Sequence, residues 1–354
     1  RDKLVTGVQT CALPIYRPMI RTVFACLLAG LAAPAGAQEY FRDKSIRLIV
    51  GSAPGGSHDA YARLVSRHLG PQLPGKPAIV IVNMPGASGV QAANYIYEIA
   101  PKDGTVIGTF NRSTPSYEVS GQSNVRFRSK NMGWLGSLAQ SNDTVVSWHT
   151  SGVRDLEDAR RKEIIIGALS RIGTMYGYPS LLNGTIGTKF RIVTGYESGT
   201  AVNLAMEKGE VQGRGSNPWG SWKAINPQWV RDRKIIPLVQ IGLRKEPDLP
   251  ETPLLNELAR SDEHKRIFAF VSDTAAVDQP YTAPPGLPPD VLAMLRAGFD
   301  AMLKNRDFQD EAAKQNLEID ALPGERLAEL VARIIDAPRE TVARANAIMQ
   351  GEAK

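Results

Sequence analysis

The chain has 354 residues, 43% of them hydrophobic and 22% charged, with a formal net charge of +6. That is the composition of a globular protein with one large domain or two ordinary ones, and past residue 37 no apolar run approaches the roughly 20 residues that span a bilayer. Half of the charge sits in the first 37 residues, where Arg1, Lys3, Arg17 and Arg21 oppose Asp2 alone; the remaining bases are scattered among acids, which excludes the concentrated basic face that a nucleic-acid partner needs.

Met19 reads as the start of a secretory signal. Arg21 supplies a positive flank, residues 23–33 an apolar run, Pro34 a breaker, and Ala35-Gly36-Ala37 a small-residue cleavage site. The expectation is export and cleavage near Ala37. Residues 1–18 precede that start, resemble translated sequencing-adapter read-through (notably 5–15), and are set aside as a non-native leader. Both cysteines, Cys11 and Cys26, fall in these leading segments, so the body has no disulfide, no thiolate nucleophile and no cysteine metal site.

Strands and helices then alternate. Residues 46–50 form a β-branched run ending at Gly51. A helix follows over 59–69, with Tyr61, Leu64, Val65, His68 and Leu69 on one face. A strand at 78–82, a helix at 88–100 and a strand at 105–110 complete a βαβαβ unit, which implies a parallel sheet covered on both faces. The pattern restarts with strands at 163–167 and 189–193, a helix at 200–208 and a strand at 235–243. From Pro288 onward it is helical: 291–304, 308–315, 325–335 and 340–349. Those helices lack strands of their own and are expected to cover the first sheet. The fold class is therefore α/β in two domains. The first is discontinuous, 42–147 plus 280–354, and the second spans 148–279. Crossovers near 145–148 and 281–284 form a hinge, the layout of a closing clamp.

Ligands of open α/β sheets sit beyond the carboxyl ends of strands. After the first predicted strand come Gly55, Gly56, Ser57, His58 and Asp59, where glycines admit close backbone approach and a helix N-terminus favours anions. After the second come Gly86, Ala87, Ser88 and Gly89, and after the third Asn111 and Arg112. The second half offers Ser170, Arg171, Gly173 and Thr174 after one strand, Ser198 and Gly199 after another, then Arg214 with Ser216 and Asn217. Small hydrogen-bonding residues at several strand ends, three of which carry an arginine, suit an anion such as a carboxylate. Ordinary βα turn chemistry also wants Gly, Ser and Asp, so each loop alone carries little weight.

From 46 to 109 the chain resembles the receptors of tripartite tricarboxylate transporters, the Bug-type binding proteins. The resemblance rests on Ile49-Val50-Gly51 with Pro54-Gly55-Gly56 and Asp59, Ala62-Arg63-Leu64, the run Asn83 through Gly89, and Ala100-Pro101-Lys102-Asp103-Gly104-Thr105. Leu249-Pro250-Glu251-Thr252-Pro253 and Ala283-Pro284-Pro285-Gly286-Leu287-Pro288 extend it over nearly all of the mature chain. It implies a type II periplasmic-binding-protein fold, a periplasmic monomer, and a carboxylate ligand held by backbone N–H groups, hydroxyls and waters. It also implies handover to a membrane permease and no cofactor. Gly56, Ser57 and Asp59 match the first ligand loop, Gly86 to Gly89 the second, and Ser170, Gly173 and Thr174 roughly the third. The chain departs from the pattern at Glu197-Ser198, where a lysine-glycine pair is usual, and at Gln212 and Ser216, where many members carry aspartates. His58 also stands where small or hydroxyl residues are usual. Loss of a carboxylate at Ser216 argues against an amine-bearing ligand.

Enzymatic signals are weak. Residues 70–76 resemble the start of a phosphate-binding loop, but Pro77 stands where Ser or Thr must reach magnesium, and a strand follows. The four histidines, His58, His68, His149 and His264, show no metal-ligand spacing, and there is no G-x-S-x-G elbow. His68 is expected on the core side of its helix. Trp219, Trp222 and Trp229 are expected to pack the second domain, with the cleft mouth as the alternative. A sensor module for a membrane kinase, and an exported α/β hydrolase, are the competing functions.

Overall fold

The computed structural model describes residues 39–352 except Gly56 and Ile172, so the leader and the signal segment lie outside the described residues. The first strand, β1 (Ser45–Val50), is followed by α1 (Ser57–His68), β2 (Ala78–Asn83), α2 (Val90–Glu98) and β3 (Val106–Thr109). β1 pairs in parallel with both β2 and β3, as the βαβαβ pattern requires. Tyr61, Leu64 and Val65 of α1 are buried, as is Leu69 just beyond it, in line with the predicted stripe; Ala62, outside that stripe, is buried as well. His68 faces inward as expected: its Nε2 lies 2.6 Å from Glu311, and its ring meets Phe308 edge-on.

Beyond β3 come α3 (Thr114–Val119) and β4 (Gly133–Ala139), and then β5 (Asp143–Trp148). The second half contains α4 (Leu156–Arg161), β6 (Ile164–Gly167), α5 (Thr174–Ile186), β7 (Phe190–Val193) and α6 (Gly199–Glu207). It continues through β8 (Gly213–Pro218), α7 (Trp219–Ile225), α8 (Pro227–Arg231), β9 (Ile235–Ile241) and α9 (Asp262–Ala275). The chain closes with β10 (Asp278–Ala283), α10 (Pro289–Lys304), α11 (Arg306–Lys314), β11 (Leu322–Pro323), α12 (Gly324–Ile335) and α13 (Arg339–Met349). Two sheets result, in the orders β11-β4-β10-β3-β1-β2 and β7-β6-β8-β5-β9. Each is mixed: β10 runs antiparallel to β3 and β4, and β5 runs antiparallel to β8 and β9.

Three expectations need correction. The segment 145–148, expected as a crossover, lies inside β5, a strand of the second sheet with partners on both sides; Val145 and Val146 are fully buried there. The chain passes between the sheets at 140–142 instead. The segment expected to return, 281–284, begins inside β10, so the return is complete before Asp278. Gly213 to Asn217, read as a loop after a strand, is β8 itself. Its sequence has little strand propensity, but a Cβ on Gly215 would overlap the carbonyl of Met175, so small residues let α5 lie directly on the strand.

The terminal helices also divide. α10 and α11 cover the first sheet with Leu295, Phe299, Met302 and Phe308. α12 packs on β4, whereas α13 lies against α5 and α9. One apolar cluster therefore contains both Ile49 and Val90 of the first sheet's layers and Ile166, Leu182 and Leu238 of the second's. The tryptophans resolve toward packing: Trp219, Trp222 and Trp229 are buried with Val202 and Met206 in a cluster under the second sheet.

Candidate functional site

The loops that follow β1, β2 and β3 converge. A Cβ on Gly51 would lie 3.2 Å from the Cα of Gly89, and one on Gly89 would lie 3.2 Å from the backbone nitrogen of Asn111. Asp59 is the clasp between them. Its carboxylate is almost wholly buried and accepts from the Gly55 N–H at 2.9 Å, the Arg63 Nε at 2.8 Å and the Asn83 amide at 2.9 Å. Burial pushes the Asp59 carboxyl up, but Arg63, Gly55 and Asn83 outweigh it and hold it below its ordinary value. Asp59 thus spends its acceptors on loop geometry. In the second loop Ala87 (φ 44°) and Ser88 (φ 54°) are both left-handed, a strain of about 1 kcal/mol each that concentrates at functional sites.

A cavity of about 460 Å³ opens where the chain crosses between the sheets, within the size range of small-molecule sites. His58 and Tyr61 of α1, Asn111 and Arg112 after β3, and Ser141 of the first crossover line it. Pro218 comes from the end of β8, Gly220 from the start of α7, Asp278 and Gln279 from the start of β10, and Glu318 from the loop after α11. A second cavity of about 430 Å³ holds Arg171, Gly173 and Thr174, with Ser116, Tyr117 and Tyr178. Between the two runs a buried chain of polar groups. Arg112 Nη2 donates to both oxygens of the fully buried Asp143 at 3.2 Å, and the Tyr178 hydroxyl donates to Asp143 at 3.2 Å. The Asp143 carboxylate raises the Arg112 guanidinium above its ordinary value against the opposing effect of burial. The other terminal nitrogen of Arg112, Nη1, is buried with no hydrogen-bond partner. Buried donors are nearly always satisfied, so this one marks a place for an acceptor.

His58 Nδ1 is likewise buried and unpartnered. Burial lowers the imidazole below its ordinary value, Asp278 and the Gln279 side chain pull the other way, and Arg112 adds to the lowering. The ring is therefore neutral at pH 7.

Several of the other expected residues are engaged with one another in the second half. The Thr174 and Ser216 hydroxyls share a hydrogen bond of 2.9 Å. Ser198 caps α6 by accepting from the Ala201 N–H. The buried Arg214 donates to the carbonyls of Ser216 and Gly199 and to the side chains of Asn203 and Asn217, and its guanidinium lies over Trp222. Burial brings it down to about 10, with Asp143 opposing, so it remains a cation. Ser216 and Asn217 are consequently occupied in holding β8 and Arg214. Ser170 and Arg171 are exposed, and Arg171 lies over the Tyr176 ring. Gly56 lies outside the described residues. Of the expected residues, the larger crossover cavity gathers His58, Asn111 and Arg112, and the neighbouring one Arg171, Gly173 and Thr174. Asp143, Tyr178, Asp278 and Glu318 had no motif to announce them; a buried acid at a crossover is visible only once strands are paired.

Two mixed sheets joined by two crossovers, with a cleft at the strand ends, define the fold of the periplasmic solute-binding proteins. A TctC solute-binding protein from Polaromonas, solved without ligand, matches with a TM-score of 0.67 at 16% identity over 85% of this chain and 98% of that one. The periplasmic binding protein BugD matches at 0.55 and 16% identity, over 85% and 97%. MatC from Rhodopseudomonas palustris, with bound malate, matches at 0.53 and 20%, over 86% and 98%. These are the proteins to which the sequence resemblance pointed. No family model and no curated protein matches the chain.

Proposed function

We propose that this protein is a periplasmic receptor that captures a small carboxylate-bearing solute in the crossover cavity and delivers it to a tripartite-type membrane permease. The observation that carries the reading is the unpartnered, buried Arg112 Nη1 in a cavity between the two sheets. Asp143 and Tyr178 fix the guanidinium from behind, which leaves one N–H face for an anionic oxygen. The two sheets act as the cores of two lobes, and closure about 140–142 and the return to β10 would bury the ligand. The fold's neighbours support the solute-binding role, one with bound malate and another, from R. palustris, with adipate; the permease follows the sequence resemblance.

A thermal-unfolding screen of mono-, di- and tricarboxylates and amino acids tests it. A ligand at 100 times its dissociation constant adds about 2.7 kcal/mol of stability. The expected result is a rise of several degrees with one class of acid, abolished by Arg112→Gln. If no acid at millimolar concentration raises the midpoint, the reading fails.

A further inference from the structure

The walls of the crossover cavity carry more than an anion anchor. Asp278 enters at the start of β10, where one of its oxygens accepts the Gln279 N–H. It lines the same cavity as His58, Tyr61 and Arg112. Glu318 enters from the loop after α11. Its Oε2 is buried without a hydrogen-bond partner, and a Cβ on Gly220 would overlap it. Its other oxygen lies 3.6 Å from Lys223, but that lysine is shared with Asp248 at 3.1 Å.

The charges around the cavity decide what it accepts. Arg112 is matched by Asp143, and Lys223 serves two carboxylates. Lining the cavity itself are one of these cations, Arg112, and two carboxylates, Asp278 and Glu318. His58 adds no positive charge near neutral pH. A dicarboxylate would bring two more negative charges into a cleft already short of one positive charge, and partial burial strengthens that repulsion.

We propose that the cleft selects a zwitterion: one carboxylate on Arg112 Nη1 and an ammonium group between Asp278 and Glu318. This rests on the solute-binding reading and names the ligand class for the same site. The sequence pattern argued against an amine because Ser216 stands where an aspartate is common; the fold brings carboxylates to the cleft from β10 and from the loop after α11 instead.

The test is calorimetric titration of the purified protein with a panel of α- and ω-amino acids and with succinate, glutarate and adipate. It is repeated on Asp278→Asn and Glu318→Gln, each checked for an unchanged unfolding midpoint in the absence of ligand. The best amino acid is expected to bind at least about tenfold more tightly than the best dicarboxylate, and that ratio is expected to fall about tenfold in at least one variant, since a lost desolvated charge pair is worth that much or more. A dicarboxylate that binds as tightly as every amino acid overturns the proposal while leaving the receptor reading intact. So does an amino-acid preference that both folded variants keep in full. If neither class binds, the proposal and the receptor reading both fall.

Discussion

Replacing Asp143 by Asn removes a fully buried charge that holds Arg112 and Tyr178. Asn keeps the shape and one acceptor, but leaves the guanidinium without its carboxylate. Breaking a buried pair from one side costs about 3–5 kcal/mol. The Arg112 side chain is 21% exposed, so the lower end applies, about 3 kcal/mol. At about 2.1 cal/mol/K of unfolding entropy per residue, a folded body of about 300 residues moves its unfolding midpoint by about 1.5 °C per kcal/mol, which gives a fall of about 5 °C. Arg112→Met from the other side strands Asp143 with only the Tyr178 hydroxyl and costs a similar amount. The double variant removes both charges, so it should be more stable than the sum of the single effects by at least about 2 kcal/mol. Urea unfolding of all four proteins measures that coupling. Carboxylate titration of the same set should find no binding wherever Arg112 is missing, even where stability has recovered. Additive losses, within about 0.5 kcal/mol, would refute the buried pair as the anchor's support. Full binding in the double variant would remove Arg112 from the site.

His58 makes stability depend on pH. Burial holds its folded-state value below the ordinary 6.5, so between the two values the unfolded chain binds more protons and stability rises with pH. The midpoint should therefore fall as pH drops from 7 toward 5, and His58→Gln should flatten that part of the profile; an identical profile in the variant would show that other groups control it. Gly215→Ala forces a Cβ into the Met175 carbonyl of the helix packed on β8, an overpacking against backbone that costs about 1–3 kcal/mol or more. A variant with unchanged urea stability would contradict the close approach of α5 to β8.

Periodicity made the first sheet legible. Strands β1 to β3 with α1 and α2 follow local patterns of period two and 3.6, and so do the four C-terminal helices, because each buries one regular face whatever it packs against. α5 and α9 were not read, since Pro179, Gly177 and the charged start of α9 blur the stripe. β8 was misplaced because its glycines serve α5, which is packing and not propensity. Asn111 and Arg112 were found because they follow a strand, and strand ends are where ligands bind.

The loop residues and the α/β class were thus written in local order along the chain. Which strands share a sheet, where the chain crosses, and the union of Arg112, Asp143 and Tyr178 depend on pairings between residues 31 to 35 apart or more. The charge of the cleft belongs to the same level, because Asp278 and Glu318 lie far from the glycine loops in sequence and reach them only through β10 and the loop that follows α11. Local propensity acts over a few residues; burial of a charge, and its compensation, are properties of the whole packed chain.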